Sequence, residues 1–197
     1  MNVSSARPLL LASTSPQRRA ILEQLGLPFD VAAPDYVEHD PPDADAQQLV
    51  RDHARGKARS VAAQAEGRPV LGVDTTVVLD GRIYAKAADA ADAELMLAGL
   101  SGKTHAVLSG ICLLMPDWEV VEAAATRVTF RALTSREVSA YVASGEWQGR
   151  AGAYAIQGRG ASLVDRVDGD YLNVVGLPVS LLVRLLADRF PGVYGVG

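Results

Sequence analysis

The chain has 197 residues, 49% of them hydrophobic and 21% charged, with a formal net charge of −4 and a pI near 5.4. That length can bury a substantial core in one large domain or two lobes, and the acidic balance argues against a protein that coats nucleic acid. The single cysteine, Cys112, sits in the apolar run 111–114, which excludes an internal disulfide and a cysteine-based zinc cluster and suits a buried structural thiol.

After a loose tail expected over about 1–7, Leu9-Leu10-Leu11-Ala12 predicts a buried strand. It runs into Ser13-Thr14-Ser15-Pro16-Gln17-Arg18-Arg19, a small-residue turn followed by a helix with Pro16 in its first position and Ser15 as cap. Arginines at a helix start oppose its partial positive charge, at a cost of about 0.3–1 kcal/mol. Two readings fit: hydroxyls, free amides and guanidinium groups converging on a phosphate, or a solvated helix start whose arginines pair with distant acids. Ile21, Leu22 and Leu25 form the helix's apolar stripe and Gly26 its stop.

Residues 29–32 predict a second short strand, and 34–46, rich in Pro and Asp, a surface loop. A long helix is expected over 47–64, with Leu49, Val50, Ala54, Ala58, Val61 and Ala62 on its apolar side and Arg51, Arg55, Lys57 and Arg59 opposite. Val70–Leu79 is a strongly apolar strand, and Asp80-Gly81 a hairpin turn into Arg82-Ile83-Tyr84. A helix over 87–100 precedes long strands at 105–115 and 119–130, joined by the Pro116-Asp117 turn. Ser135 is expected to cap a helix running to about Ser144, and a glycine-rich stretch over 149–160 leads to a strand at 162–167. A last helix begins near Pro178 and ends by Phe190, with a loose end over about 192–197. Helices alternating with strands, then long hairpin-like strands, indicate an α/β fold: a mixed twisted sheet with flanking helices. The longest N-terminal apolar stretch is too short for a signal-peptide core, and no segment reaches the roughly 20 apolar residues that span a bilayer. A cytoplasmic protein without membrane association is expected.

Asp74 is the most unusual carboxylate, because Val70–Val78 otherwise predicts a strand buried on both faces. Burying a lone carboxylate is expensive, so Asp74 calls for a metal, a cation or a cleft; the alternative is a carboxylate bonded to backbone at a bulge. Strict alternation puts Thr76 on its face and Thr75 on the other. Glu38, Lys57, Lys86 and Lys103 taken singly are ordinary solvated charges, and Ser101-Gly102-Lys103-Thr104 lacks the spacing of a Walker loop. The stretch 151–160 joins close-approach glycines to Gln157, whose amide can both donate to and accept from a base edge, and 169–178 is a second glycine-bounded loop opening a helix. Both suit a ligand wall and both suit packing turns.

In this order, Ser13–Arg18, Val37-Glu38, Lys57-Ala58, Gly72-Val73-Asp74-Thr75, Lys86, Leu100–His105, Ala151–Tyr154 through Gly158, and Gly169-Asp170-Tyr171 through Pro178 resemble the Maf family of nucleoside triphosphate pyrophosphatases, also called septum formation inhibitors. The resemblance covers nearly the whole chain as one Maf-like domain, 1–197. It implies a two-lobed fold around a cleft, related to inosine-triphosphate pyrophosphatases, and commonly a homodimer. It also implies hydrolysis of a nucleoside triphosphate to monophosphate and pyrophosphate with a divalent cation, Mg²⁺ or Mn²⁺. On it, Asp74 matches the catalytic proton acceptor, and Glu38 and Asp74 are the metal candidates. Ser13, Ser15, Arg18, Lys57, Lys86 and Lys103 become substrate-binding residues, and Gln17, Thr75 and Gln157 match positions that sort substrates.

Thr75 and Gln157 match the branch resembling dTTP/UTP pyrophosphatases, which usually has Arg where this chain has Gln17. Ala85 and Ala87 flank Lys86 where the family often has Gly and Pro, which alters the loop and keeps the amine. The expected chemistry is in-line attack of water on the α-phosphorus, with Asp74 deprotonating it or holding a metal that does so, and the cationic side chains neutralising the triphosphate. The competing expectation is a non-catalytic nucleotide-binding regulator of cell division using the same residues.

Overall fold

The computed structural model describes residues 7–41 and 44–195. Seven strands, β1 (Leu9–Ala12), β2 (Phe29–Ala32), β3 (Val70–Leu79), β4 (Arg82–Tyr84), β5 (Thr104–Leu114), β6 (Glu119–Phe130) and β7 (Val164–Asp168), form one mixed sheet. Its order is β2-β1-β3-β5-β6-β7, with β4 on β3. β1 pairs parallel with β2 and β3, whereas β3–β4 and β6–β7 are antiparallel. Among the described residues six α-helices accompany it: α1 (Pro16–Gln24), α2 (Ala46–Ser60), α3 (Ala90–Leu100), α4 (Ser135–Val142), α5 (Tyr171–Val175) and α6 (Val179–Arg189). This is the expected α/β class with a mixed sheet and helices.

The chain divides into two compact units. The first takes the residues up to Asp74, Ser109–Ala124 and those from Gly176 onward. Its core packs Leu10, Ala12, Ala32, Val70 and Cys112 of the strands against Ala54, Ala58 and Val61. Burial pushes the Cys112 thiol up to about 12, so it stays protonated and inert, the structural thiol its apolar setting predicts. Two glycines let α2 lie directly on the strands. A Cβ on Gly72 of β3 would stand 2.1 Å from the Ala54 carbonyl oxygen, and one on Gly110 of β5 would stand 2.0 Å from that of Val50. α2 ends at Ser60, with a 3-10 turn over Ala62–Gln64 where the longer helix was expected. The expected loose end at 192–197 is corrected in part. Tyr194 is buried, its hydroxyl donates to the Arg7 carbonyl at 2.9 Å, and its ring packs edge-on against Phe190. Residues 1–6 and 196–197 of the two expected tails lie outside the described residues.

The second unit comprises Thr75–Leu108 and Ala125–Val175. Asp80 and Gly81 both have positive φ, 52° and 78°, as the tight β3–β4 hairpin requires. α3 begins at Ala90, three residues later than expected, because the Asp89 carboxylate accepts from the Asp92 N–H and sets the start. For α4 the cap is Thr134, not Ser135: its hydroxyl and the Glu137 carboxylate form a reciprocal capping box. The expected strand at 162–167 is β7, Val164–Asp168, preceded by a 3-10 turn over Gly158–Leu163.

This unit's core holds a buried histidine. His105 packs edge-on to Phe130 and Tyr154, its Nε2 lies 2.9 Å from the Tyr154 hydroxyl, and its Nδ1 has no hydrogen-bond partner among the described residues. Burial pushes its pKa down to about 4. The folded protein therefore keeps His105 neutral, while the unfolded chain takes up a proton near pH 6.5. Stability is expected to be complete above pH 6.5, to fall by about 3 kcal/mol as the pH drops to 4, and to level off below. Urea unfolding between pH 7.5 and 4 checks this, and the same loss persisting in a His105→Asn variant would refute it.

Candidate active site

Asp74 lies on β3 with its carboxylate almost fully buried, and the cation it calls for is present. Lys57 Nζ sits 2.6 Å from Asp74 Oδ1 and 2.6 Å from Glu38 Oε1. One ammonium thus bridges a carboxylate from a buried strand and one from the loop before α2. The hydrogen bond to Asp74 Oδ1 comes from a side chain, as the cation reading of this carboxylate expects. Lys57 is a correction: assigned to the polar side of its helix, it is 8% exposed. Its spacing explains this, because Val50, Ala54, Lys57, Ala58 and Val61 fall at i, i+4, i+7, i+8 and i+11 on one face. The close approach at Gly72, two residues before Asp74, brings that face down to the carboxylate.

The turn after β1 is built around Ser13. Its buried hydroxyl oxygen accepts from the Ser15 N–H at 3.2 Å and from Arg18 Nη1 at 3.2 Å. Arg18 Nε donates to the Gly176 carbonyl at 2.9 Å, fastening α1 to the segment before α6. Burial lowers the Arg18 pKa, opposed by the negative charges of Asp74 and Glu38, which places the guanidinium in the field of both carboxylates. Ser15 occupies the N-cap position but does not cap; its hydroxyl donates to Gln17 Oε1 at 3.1 Å. The first turn of α1 carries no acidic residue, so its amides face no intrahelical carboxylate. The structure therefore brings Ser13, Ser15, Gln17 and Arg18 together at one helix start, and Glu38, Lys57 and Asp74 together in one ionic cluster.

The other expected site residues belong to the second unit. Thr75 is half-buried on β3. Lys86 is exposed and forms an isolated antiparallel bridge with Ala151, beside which the Gly152 N–H donates to the Tyr84 and Ala85 carbonyls. Lys103 is exposed in the α3–β5 turn, where the Gly102 and Lys103 N–H groups are spent on the Arg131 and Leu100 carbonyls; no phosphate-cradling loop forms there. Gln157 is exposed in a loop held on both sides: the Ala155 N–H donates to the Tyr141 hydroxyl at 3.0 Å, and the Arg159 and Gly160 N–H groups donate to Glu146. Tyr36 and Asp40 beside Glu38, and Glu146, escape sequence reasoning because each is a common residue in an aperiodic setting, whereas Tyr141 and His53 lie on α4 and α2. Of these only His53 carries a signal, four residues before Lys57 on the same helix face.

Two carboxylate oxygens converging on one cation are hard donors, and among the described residues no group of three or more His, Cys, Asp or Glu side chains is placed to hold a metal ion. Among the same residues no helix is long and apolar enough to cross a membrane.

The fold and the cluster define a mixed α/β protein with a buried lysine–dicarboxylate centre. The family described as Maf-like protein matches residues 8–189, and this chain belongs to it. It is 46% identical over 178 residues to the dTTP/UTP pyrophosphatase of Symbiobacterium thermophilum, covering 90% of this chain and 92% of that protein. The dTTP/UTP pyrophosphatase of Gloeobacter violaceus is 49% identical over 181 residues, 91% of this chain and 95% of that one. That of Deinococcus radiodurans is 43% identical over 196 residues, the full length of both.

Proposed function

We propose that this protein is a nucleoside triphosphate pyrophosphatase of dTTP/UTP type, cleaving the α–β phosphoanhydride to release a nucleoside monophosphate and pyrophosphate. The observation that carries the reading is the Lys57 ammonium held between Asp74 and Glu38, in a chain matched along nearly its whole length by proteins named for that activity. Asp74 is the proton acceptor for the attacking water: Lys57 fixes Oδ1, and Oδ2 is the oxygen assigned to take the proton. Arg18, Lys57 and Lys86 offset charge on the triphosphate oxygens as the α–β bond breaks. Ser13, Ser15 and Lys103 are assigned to phosphate contacts, and Gln17, Thr75 and Gln157 to base and sugar selection.

Where a divalent cation such as Mg²⁺ or Mn²⁺ is bound, Glu38 and Asp74 would hold it through the oxygens that Lys57 leaves, and Asp74 Oδ2 would then be its ligand in place of the proton acceptor. When bound, such an ion supplies charge neutralisation on the phosphates. A homodimer and a cytoplasmic location belong to the same reading.

The test is pyrophosphate release from separate dTTP, UTP, CTP, GTP and 7-methyl-GTP with Mg²⁺ or Mn²⁺. The expected result is release from dTTP and UTP well above the other three. Nucleotide binding without pyrophosphate from any of them would overturn the reading in favour of a non-catalytic regulator.

A further inference from the structure

We propose that His53 is a positioning residue for Glu38, acting as a clasp that holds the loop on either side of it. The loop segment after β2 carries Tyr36, Glu38 and Asp40, and both flanking residues end on one imidazole. The Tyr36 hydroxyl lies 3.0 Å from His53 Nδ1, and Asp40 Oδ1 lies 2.7 Å from His53 Nε2. An ionised Asp40 can only accept, so Nε2 carries hydrogen. In the neutral ring Nδ1 then accepts from the tyrosine hydroxyl. Burial, and beyond it the charges of Asp52, Glu38, Asp74 and Asp40, raise the Tyr36 phenol, which keeps its proton and remains a donor.

The clasp is also packed. Tyr36 lies edge-on to His53, with ring centroids 5.7 Å apart, and against the backbone of Gly56, where a Cβ would stand 2.1 Å from Tyr36 Cε2. His53 is itself buried, 4% exposed, on the face of α2 that carries Lys57 one turn on. Helix α2 thus grips the same short loop twice: Lys57 holds the Glu38 carboxylate, and His53 holds the residues two before and two after it. A glutamate on an aperiodic surface loop would otherwise have to be ordered each time it served the site.

The functional part of this inference rests on the pyrophosphatase reading; the structural part does not, and the two are tested separately. Hydrogen–deuterium exchange of the segment 33–41 in the full-length protein reads the clasp directly. His53→Leu is expected to speed exchange there at least about tenfold while leaving β3 and β5 unchanged. Tyr36→Phe, which removes one hydroxyl, is expected to give a smaller increase in the same segment. Unchanged exchange in both variants would overturn the clasp.

A double-mutant cycle reads the function. His53→Leu is expected to lower kcat/KM for dTTP about tenfold in the wild-type background and less than about twofold in Glu38→Gln. His53→Gln, which keeps a donor for Asp40, should recover part of the loss. Losses that multiply would mean that His53 does not act through Glu38. Fast exchange in His53→Leu beside a Glu38→Gln enzyme as active as wild type would leave the clasp standing and remove the role assigned to Glu38.

Discussion

Replacing Asp74 by Asn is expected to lower pyrophosphate release from dTTP about 10²–10⁴-fold, the range lost when a general base is removed. The substitution is close to isosteric, and the amide oxygen still accepts from Lys57, so the geometry at 2.6 Å has a neutral replacement for its charged partner. Lys57 also keeps Glu38. Some stability is lost nonetheless, because breaking a buried ion pair costs up to about 3–5 kcal/mol when the remaining charge is left alone, and here Glu38 offsets part of that. Steady-state pyrophosphate release read beside a thermal melt separates the two effects. A folded Asp74→Asn protein within about tenfold of wild type would remove Asp74 from the chemistry.

Gly72→Ala should have the largest effect on the fold. The added Cβ would stand 2.1 Å from the Ala54 carbonyl oxygen and 2.9 Å from both the Ala58 nitrogen and its Cβ. No rotamer change relieves a collision with backbone, so β3 and α2 must move apart. Overpacking of this kind costs about 3 kcal/mol or more, which for a chain of this size lowers the melting temperature by about 6–12 °C. Displacing α2 also draws Lys57 away from Asp74, and a misplacement of about 1 Å at a catalytic group can cost on the order of 10²-fold in rate. Gly81→Ala is the control: Gly81 has φ +78° but nothing within 4 Å of the new Cβ, so only backbone strain of about 1–2 kcal/mol is expected, with activity retained. Equal melting temperatures for the two variants would show that the close approach at Gly72 is not needed.

The strands were legible where a residue's own chemistry decides its structure. The continuous apolar run of β3 and the Asp80-Gly81 turn define that hairpin, and β2 and β6 fall on the expected bounds. Helix ends were less legible: Thr134 takes the cap expected of Ser135, and the Asp89 carboxylate delays the start of α3. The five-residue α5 passed unnoticed because its glycine-bounded surroundings spell a turn. At the site, Asp74 declared itself by being an acid in an apolar strand. Lys57 did not: a lysine on an arginine-rich helix reads as solvated until its acidic partners are known, and those come from positions 38 and 74. Its helical phase carried the information that its charge concealed. The Tyr36–His53–Asp40 clasp has no periodic signature, and only the folded chain reveals it.

The anchoring of Arg18 by Ser13 and Gly176 has a consequence for affinity. A free arginine side chain carries about 2 kcal/mol of rotamer entropy that a ligand must overcome when it immobilises the group. Here Ser13 and Gly176 restrain the guanidinium within the fold, and the helix it belongs to fixes its stem. An anion engaging Arg18 meets a side chain already held in place, so its capture should proceed with little ordering of this side chain.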